Sequence, residues 1–212
     1  KIISYFFIIV FYRNISCFLY LRLKPYKDLM AILNQKTIKE PLSFQGITLH
    51  KGKYAKMRIL PSTPNSGIVF KRVDLNKDNF VLANFCNVSD ATLCTTLTNE
   101  AGVKVSTVEH LMAALYGMGV DNALVEIDQE EIPIMDGSSK KFVEAIKNIG
   151  LKISSTPIKI IKILNKIEIT DKNKYISIEP TKTTLEIDFE IKFNNQLIGN
   201  QRNLINVFEN DI

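Results

Sequence analysis

Ser106-Thr107-Val108-Glu109-His110-Leu111-Met112-Ala113-Ala114-Leu115 is the stretch around which the chain is organised. Val108, Leu111, Met112 and Leu115 stand at i, i+3, i+4 and i+7, the spacing of one helical face. Ser106 followed three residues later by Glu109 is a capping-box pattern, so the helix is expected to open on Ser106. Gly117-Met118-Gly119 is the matching stop signal. At about 100° per residue His110 lies roughly 150° from the centre of the apolar stripe, beside Ala113, Ala114 and Gly117. A helix facing water carries Lys, Arg or Glu at such positions, so small residues there predict a helix covered on both sides.

On the N-terminal side, residues 37–61 alternate as strands broken at Gly46 and Gly52. Strand patterns recur at 68–73, 81–88 and 92–98, and residues 99–102 form a hairpin turn leading back to the helix. On the C-terminal side, residues 120–127 read as a strand. Asp136-Gly137-Ser138-Ser139 then introduces a second helix, with Phe142, Val143, Ile146 and Ile149 as its stripe and Gly150 as its stop. Residues 154–157 read as a linker. Beyond it, 159–163, 166–170, 175–179 and 184–193 are strands, and 203–211 is at most the start of a helix. Thr184-Leu185-Glu186-Ile187-Asp188-Phe189-Glu190-Ile191-Lys192-Phe193 alternates so regularly that one face is expected to be buried. Strands then helices, followed by strands again, indicate an α+β fold of two similar halves, the second incomplete.

With 46% hydrophobic and 23% charged residues, the 212-residue chain has the composition of a globular protein. Its net charge of +5 is local. Lys1, Arg13, Arg22, Lys24 and Lys27 face Asp28 alone within residues 1–29, so the remainder is nearly neutral. Lysines scattered through strands, without aromatic interleaving, argue against nucleic-acid binding. Cys17, Cys86 and Cys94 are odd in number and lack CxxC spacing, which fits a reducing compartment. The apolar runs at 2–12 and 17–21 fall short of the roughly 18–20 residues of a stable membrane span. Met30 stands just before the first orderly pattern, so residues 1–29 are expected to lie upstream of the true start.

Glu109 and His110 are the candidates for chemistry. An imidazole can ligate a metal, and an adjacent carboxylate can take a proton from metal-bound water. The plainer reading is a capping glutamate beside a satisfied buried histidine, and the residues alone leave both open. There is no HExxH, no phosphate-binding glycine loop and no G-x-S-x-G. The other histidine, His50, reads as a surface residue, Asp136 as a turn residue, and Cys94 as a small buried hydrophobe.

Five segments occur together in the order and spacing of one family: residues 46–52 (GITLHKG), 93–96 (LCTT), 106–115, 119–122 (GVDN) and 131–139 (EIPIMDGSS). Through them the chain resembles the UDP-3-O-acyl-N-acetylglucosamine deacetylases, the zinc amidases of lipid A and hence lipopolysaccharide biosynthesis. The resemblance runs from about residue 34 to the C-terminus. It implies a cytoplasmic, monomeric enzyme of two similar α+β domains, each a β-sheet packed on helices, with zinc in the cleft between them. It implies His110 as a zinc ligand and Glu109 as the general base on the attacking water. Leu93 and Cys94 would wall the substrate cleft. Hydrolysis of the N-acetyl group of UDP-3-O-acyl-N-acetylglucosamine would then release acetate. His50 and Asp136 occupy family positions near the cleft without an assigned role.

The departures from the family pattern are as informative. The family's other two zinc ligands sit in an H-K-x-x-D motif, a later His is the general acid, and a Thr before an aromatic supports the oxyanion. None of these occurs here, and Asn195-Gln196 stands where relatives commonly have His-Pro. The expectation is a C-terminally truncated copy, with 1–29 a non-family leader, 30–153 a first domain and 158–212 a partial second. Such a chain would be inactive, although its full-length parent would be active. A non-catalytic remnant that binds a sugar nucleotide or a protein is the competing expectation, and a protein anchored to a membrane by residues 2–21 is a third.

Overall fold

Alternation along the chain builds the central sheet of the computed structural model, which describes residues 34–159, 161, 163–180 and 186–206. The expected leader, the start at Met30, the beginning of the 184–193 pattern and residues 207–211 lie outside the described residues.

The strands of the first part are β1 (Asn34–Ile38), β2 (Leu42–Ile47), β3 (Tyr54–Pro61), β4 (Ile68–Arg72), β5 (Phe80–Leu82), β6 (Val88–Asp90), β7 (Thr96–Thr98), β8 (Lys104–Ser106), β9 (Ala123–Ile127) and β10 (Leu151–Pro157). The helices are α1 (Glu109–Gly117) and α2 (Lys140–Ile149). Five strands pair in the order β2-β3-β9-β4-β5. Only β4 and β9 are parallel within it, and a parallel pair needs a long crossover. That crossover runs through edge strand β5, the small sheet β6-β7-β8 and then α1.

One face of the central sheet is buried. Ala55, Met57 and Ile59 of β3 alternate with exposed Lys56 and Arg58, and Ala123, Val125 and Ile127 of β9 continue the same layer. Val108, Leu111, Met112 and Leu115, the expected stripe, join this core together with Phe142 and Ile146 of α2. The Phe142 ring meets Phe44 of β2 edge-on, with centroids 5.0 Å apart. The far side of α1 is mixed, for Ala114 is buried whereas Ala113 is exposed. At the end of α1, Gly119 is left-handed (φ +70°), with its N–H on the Tyr116 carbonyl and the Val120 N–H on the Leu115 carbonyl, a Schellman stop.

The helix start differs from the capping-box expectation. Ser106 ends β8, its N–H donating to the Glu130 carbonyl at 2.8 Å and its carbonyl accepting from the Ile132 N–H at 3.2 Å. Strand pairing thus consumes the backbone that a cap would use. Thr107 turns left-handed (φ +58°), and α1 opens at Glu109 with no side-chain cap.

Three other local readings change. Residues 81–88 are divided by a single 3-10 turn at Phe85–Asn87, because the Asn84 side chain accepts the Asn87 N–H and ends the extension. Residues 154–157 are no linker: they complete β10, which pairs antiparallel with β1. Residues 200–206 form a strand rather than leading into a helix, since their backbone groups pair with the strand before them.

Beyond β10 come β11 (Ile167–Asp171) and β12 (Lys174–Ile178), a hairpin, and then β13 (Glu186–Lys192) and β14 (Asn200–Asn206), another. Ile187 and Ile191 are half-buried, whereas Phe189 and Phe193 are 43% and 54% exposed, so the expected burial of that face is not met among the described residues. The chain divides into one unit of Lys1–Ile161 with Thr170–Ile176 and another of Lys162–Ile169 with Ser177–Ile212. Several sheets and two helices among the described residues give a mixed α and β fold of the expected α+β kind. No helix among them is long and apolar enough to cross a membrane.

Candidate active site

Three stretches distant in sequence converge at the mouth of α1. The extended segment around Glu131 runs between β8 and the end of β2. It bridges Ser106 on one side, while Pro133 bridges Thr48 and the Ile134 N–H donates to the Ile47 carbonyl at 3.0 Å on the other. In an extended segment side chains alternate, so Glu131 and Pro133 share a face, and both are buried.

Glu131 is therefore a carboxylate in the interior, 1% exposed. It accepts the His50 N–H at 2.9 Å, the Lys51 N–H at 3.0 Å and the Thr107 hydroxyl at 2.9 Å. Burial pushes the Glu131 carboxyl up, but the His50 and Lys51 amides and the Thr107 and Thr48 hydroxyls outweigh it and hold the group below the usual glutamate range. Its sequence neighbour Glu130 behaves differently, forming an ion pair with Lys51 at 2.6 Å.

Glu109 is half-exposed in the first turn of α1, and its Oε2 accepts the Thr95 N–H at 3.1 Å. That bond ties the segment carrying Leu93 and Cys94 to the helix carrying Glu109 and His110, so these four candidates share one neighbourhood. Leu93 is 83% exposed and Cys94 half-buried. Thr95 between them and β7 is fully buried, and its Oγ1 has no hydrogen-bond partner among the described residues. His110 is half-exposed, and its carbonyl accepts the Ser139 hydroxyl at 2.9 Å, which fixes the start of α2 against α1. Chemically, this is a half-exposed carboxylate tied to a main-chain amide, next in sequence to a half-exposed histidine.

His50 is exposed and reaches the site through its backbone, as just described. Asp136 is exposed and closes its own turn, accepting the Ser138 N–H and hydroxyl, whose bonds lower its carboxyl below the usual range. It borders an open depression of about 420 Å³ formed by residues 45–47, 134–136 and Lys141, which includes neither Glu109 nor His110.

Catalytic zinc takes three protein ligands. Among the described residues no three His, Cys, Asp or Glu side chains are grouped to share an ion, so those present do not by themselves make up such a site. Sequence reasoning missed Glu131, Thr107 and Thr95. The one available signal was an acid embedded in Ile132-Pro133-Ile134, and it did not say which of Glu130 and Glu131 points inward.

The family model described as UDP-3-O-acyl N-acetylglycosamine deacetylase matches residues 35–212. Curated relatives named UDP-3-O-acyl-N-acetylglucosamine deacetylase include one from Vibrio cholerae, 39% identical over 82% of this chain and 57% of the relative. Others come from Pseudoalteromonas atlantica, 40% identical over 81% of this chain and 56% of the relative, and from Haemophilus ducreyi, 38% identical over 79% and 55%. The chain thus spans somewhat over half the length of the curated relatives it matches. With most of its length matched by the family model and by these relatives, the chain belongs to the UDP-3-O-acyl N-acetylglycosamine deacetylase family.

Proposed function

We propose that this chain is part of an enzyme that hydrolyses the N-acetyl group of UDP-3-O-acyl-N-acetylglucosamine, the committed step of lipid A biosynthesis. In this reading Glu109 is the general base that takes a proton from the attacking water, and His110 is one of three zinc ligands. Leu93 and Cys94 line the substrate cleft, and the enzyme is a cytoplasmic monomer. Zinc would supply a Lewis acid for the carbonyl under attack. The organisation proposed is two similar α+β domains, residues 30–153 forming the first and residues 158–212 contributing to the second.

The observation that carries the reading is the bond from the Thr95 N–H to Glu109, made within a family match that spans all these residues. It supports a shared site for Leu93, Cys94, Glu109 and His110. The histidine inventory supports a further point. These 212 residues contain no H-K-x-x-D motif and no histidine after His110, the positions that the resemblance implies for the other zinc ligands and the general acid, and we propose that they do not turn over substrate by themselves.

The test is to follow the coding frame past Ile212 and to assay both products for acetate release with and without a chelator. The longer product is expected to carry an H-K-x-x-D motif and a later His, and to release acetate in a chelator-sensitive way. The 212-residue chain is expected to release none. A frame without those residues, or zinc-dependent turnover by the 212-residue chain, would overturn the reading.

A further inference from the structure

We propose that Glu131 is a positioning residue for the catalytic pair, acting through Thr107; this rests on the roles of Glu109 and His110 given above. A carboxylate this deeply buried persists only where its charged form is fully satisfied. Its donors come from two separate places, the 48–51 turn and Thr107. One side chain therefore clamps the end of β2 to the entrance of α1.

Thr107 is what gives the clamp a directional consequence. It is β-branched and left-handed (φ +58°), a conformation such residues rarely adopt without something that imposes it. Its hydroxyl donates to Glu131 Oε1 at 2.9 Å, in a pair that is buried. On either side its backbone is committed, to the Glu130 and Ile132 pairing at Ser106 and to α1 from Glu109 onward. The dihedral at Thr107 thus sets the angle at which α1 leaves β8. With that angle goes the aim of Glu109 toward the Thr95 N–H, and the aim of His110 beside it.

A structural role alone would make loss of Glu131 a matter of global stability. A positioning role makes a narrower claim, that losing the Thr107 hydroxyl misaims Glu109 while the core stays intact. Thr107→Val removes the hydroxyl and keeps the shape, Thr107→Ser keeps the hydroxyl, and Glu131→Gln removes the charge.

Amide hydrogen exchange on the 212-residue chain reads the geometry without any turnover. In Thr107→Val and Glu131→Gln the Thr95 amide is expected to exchange at least about tenfold faster, while the amides of Leu115 and Ile146 keep their protection. Thr107→Ser is expected to match the parent. The kinetic arm uses the longer product of the coding frame. There Thr107→Val should lower kcat about tenfold or more with KM within about twofold, and Thr107→Ser should restore it. Should Glu131→Gln fail to fold, the Thr107 pair decides. Unchanged Thr95 exchange in Thr107→Val, or equal losses in Thr107→Val and Thr107→Ser, would overturn the proposal. Absence of turnover in the unsubstituted longer product would instead overturn the proposed function and leave the exchange result standing.

Discussion

The Thr95 N–H and the Glu109 carboxylate are 3.1 Å apart across a sequence gap of 14 residues, and their hydrogen bond joins the loop before β7 to the first turn of α1. A glutamate in the first turn is favourably placed in the field of the helix N-terminus. Here one of its oxygens is also occupied by an amide, so the carboxylate holds one direction while remaining half-exposed. The proposed base is thus oriented by a main-chain donor, and the surroundings of that donor become testable.

Glu131 anchors these surroundings. Truncation by Glu131→Ala would leave the His50 and Lys51 amides and the buried Thr107 hydroxyl without their shared acceptor. The expected loss is about 3 kcal/mol of unfolding free energy, from the cost of buried donors left unpaired. Urea denaturation of the 212-residue chain measures it, and a midpoint equal to the parent's would contradict the clamp.

Acid should expose the same group. The folded Glu131 carboxyl lies below its ordinary range despite burial, because the amides and hydroxyls favour the charged form. Its contribution is therefore fully present above the unfolded value of about 4.3 and is lost as pH falls through the lower folded value. Asp74, lowered by its bond to Arg72, acts in the same sense. Melting temperatures measured from pH 6 down to pH 3 should fall below about pH 4.3, and less steeply in Glu131→Gln. An identical slope in that variant would show that the limb belongs to other carboxylates.

The stop of α1 depends on a left-handed residue. Gly119→Ala keeps both Schellman bonds but puts a side chain at φ +70°, where among the described residues the added Cβ would meet only the Lys36 ammonium at 3.9 Å. Space is adequate, so the cost is conformational, about 1 kcal/mol. A thermal melt that shows no loss would mean that the turn adjusts.

Core packing between α2 and the sheet rests on Phe142, which is 1% exposed and edge-on to Phe44. Phe142→Ala is expected to cost about 3–5 kcal/mol by transfer and cavity terms. A loss under about 1 kcal/mol in urea denaturation would place α2 outside the cooperative core.

Much of this fold was legible in the residues, and the exceptions have physical causes. The stripe Val108, Leu111, Met112 and Leu115 predicted α1, and the core contains all four. Strand patterns are legible for β3, β4 and β9, and each of them buries alternate residues. The capping box failed because Ser106 had a stronger use for its backbone, between Thr96 on β7 and the segment at Glu131. The linker at 154–157 failed because composition does not reveal a partner strand 123 residues away, here β1, whose Asn34 pairs with Pro157. Of the candidate site, Glu109, His110, Leu93 and Cys94 are read from motifs and the family resemblance. Glu131 and Thr107 are not, since burial of a charge and a left-handed threonine are tertiary events that leave no local pattern.

Glu109 carries the central step of the proposed reaction. Glu109→Gln in the longer product of the coding frame keeps the side-chain carbonyl that can accept from Thr95, but it cannot take a proton. Acetate release from UDP-3-O-acyl-N-acetylglucosamine should fall at least about 100-fold in kcat, the scale of a lost general base, with the melting temperature of the parent retained. A variant that turns over within about threefold of the parent would contradict the assignment of Glu109 as the base.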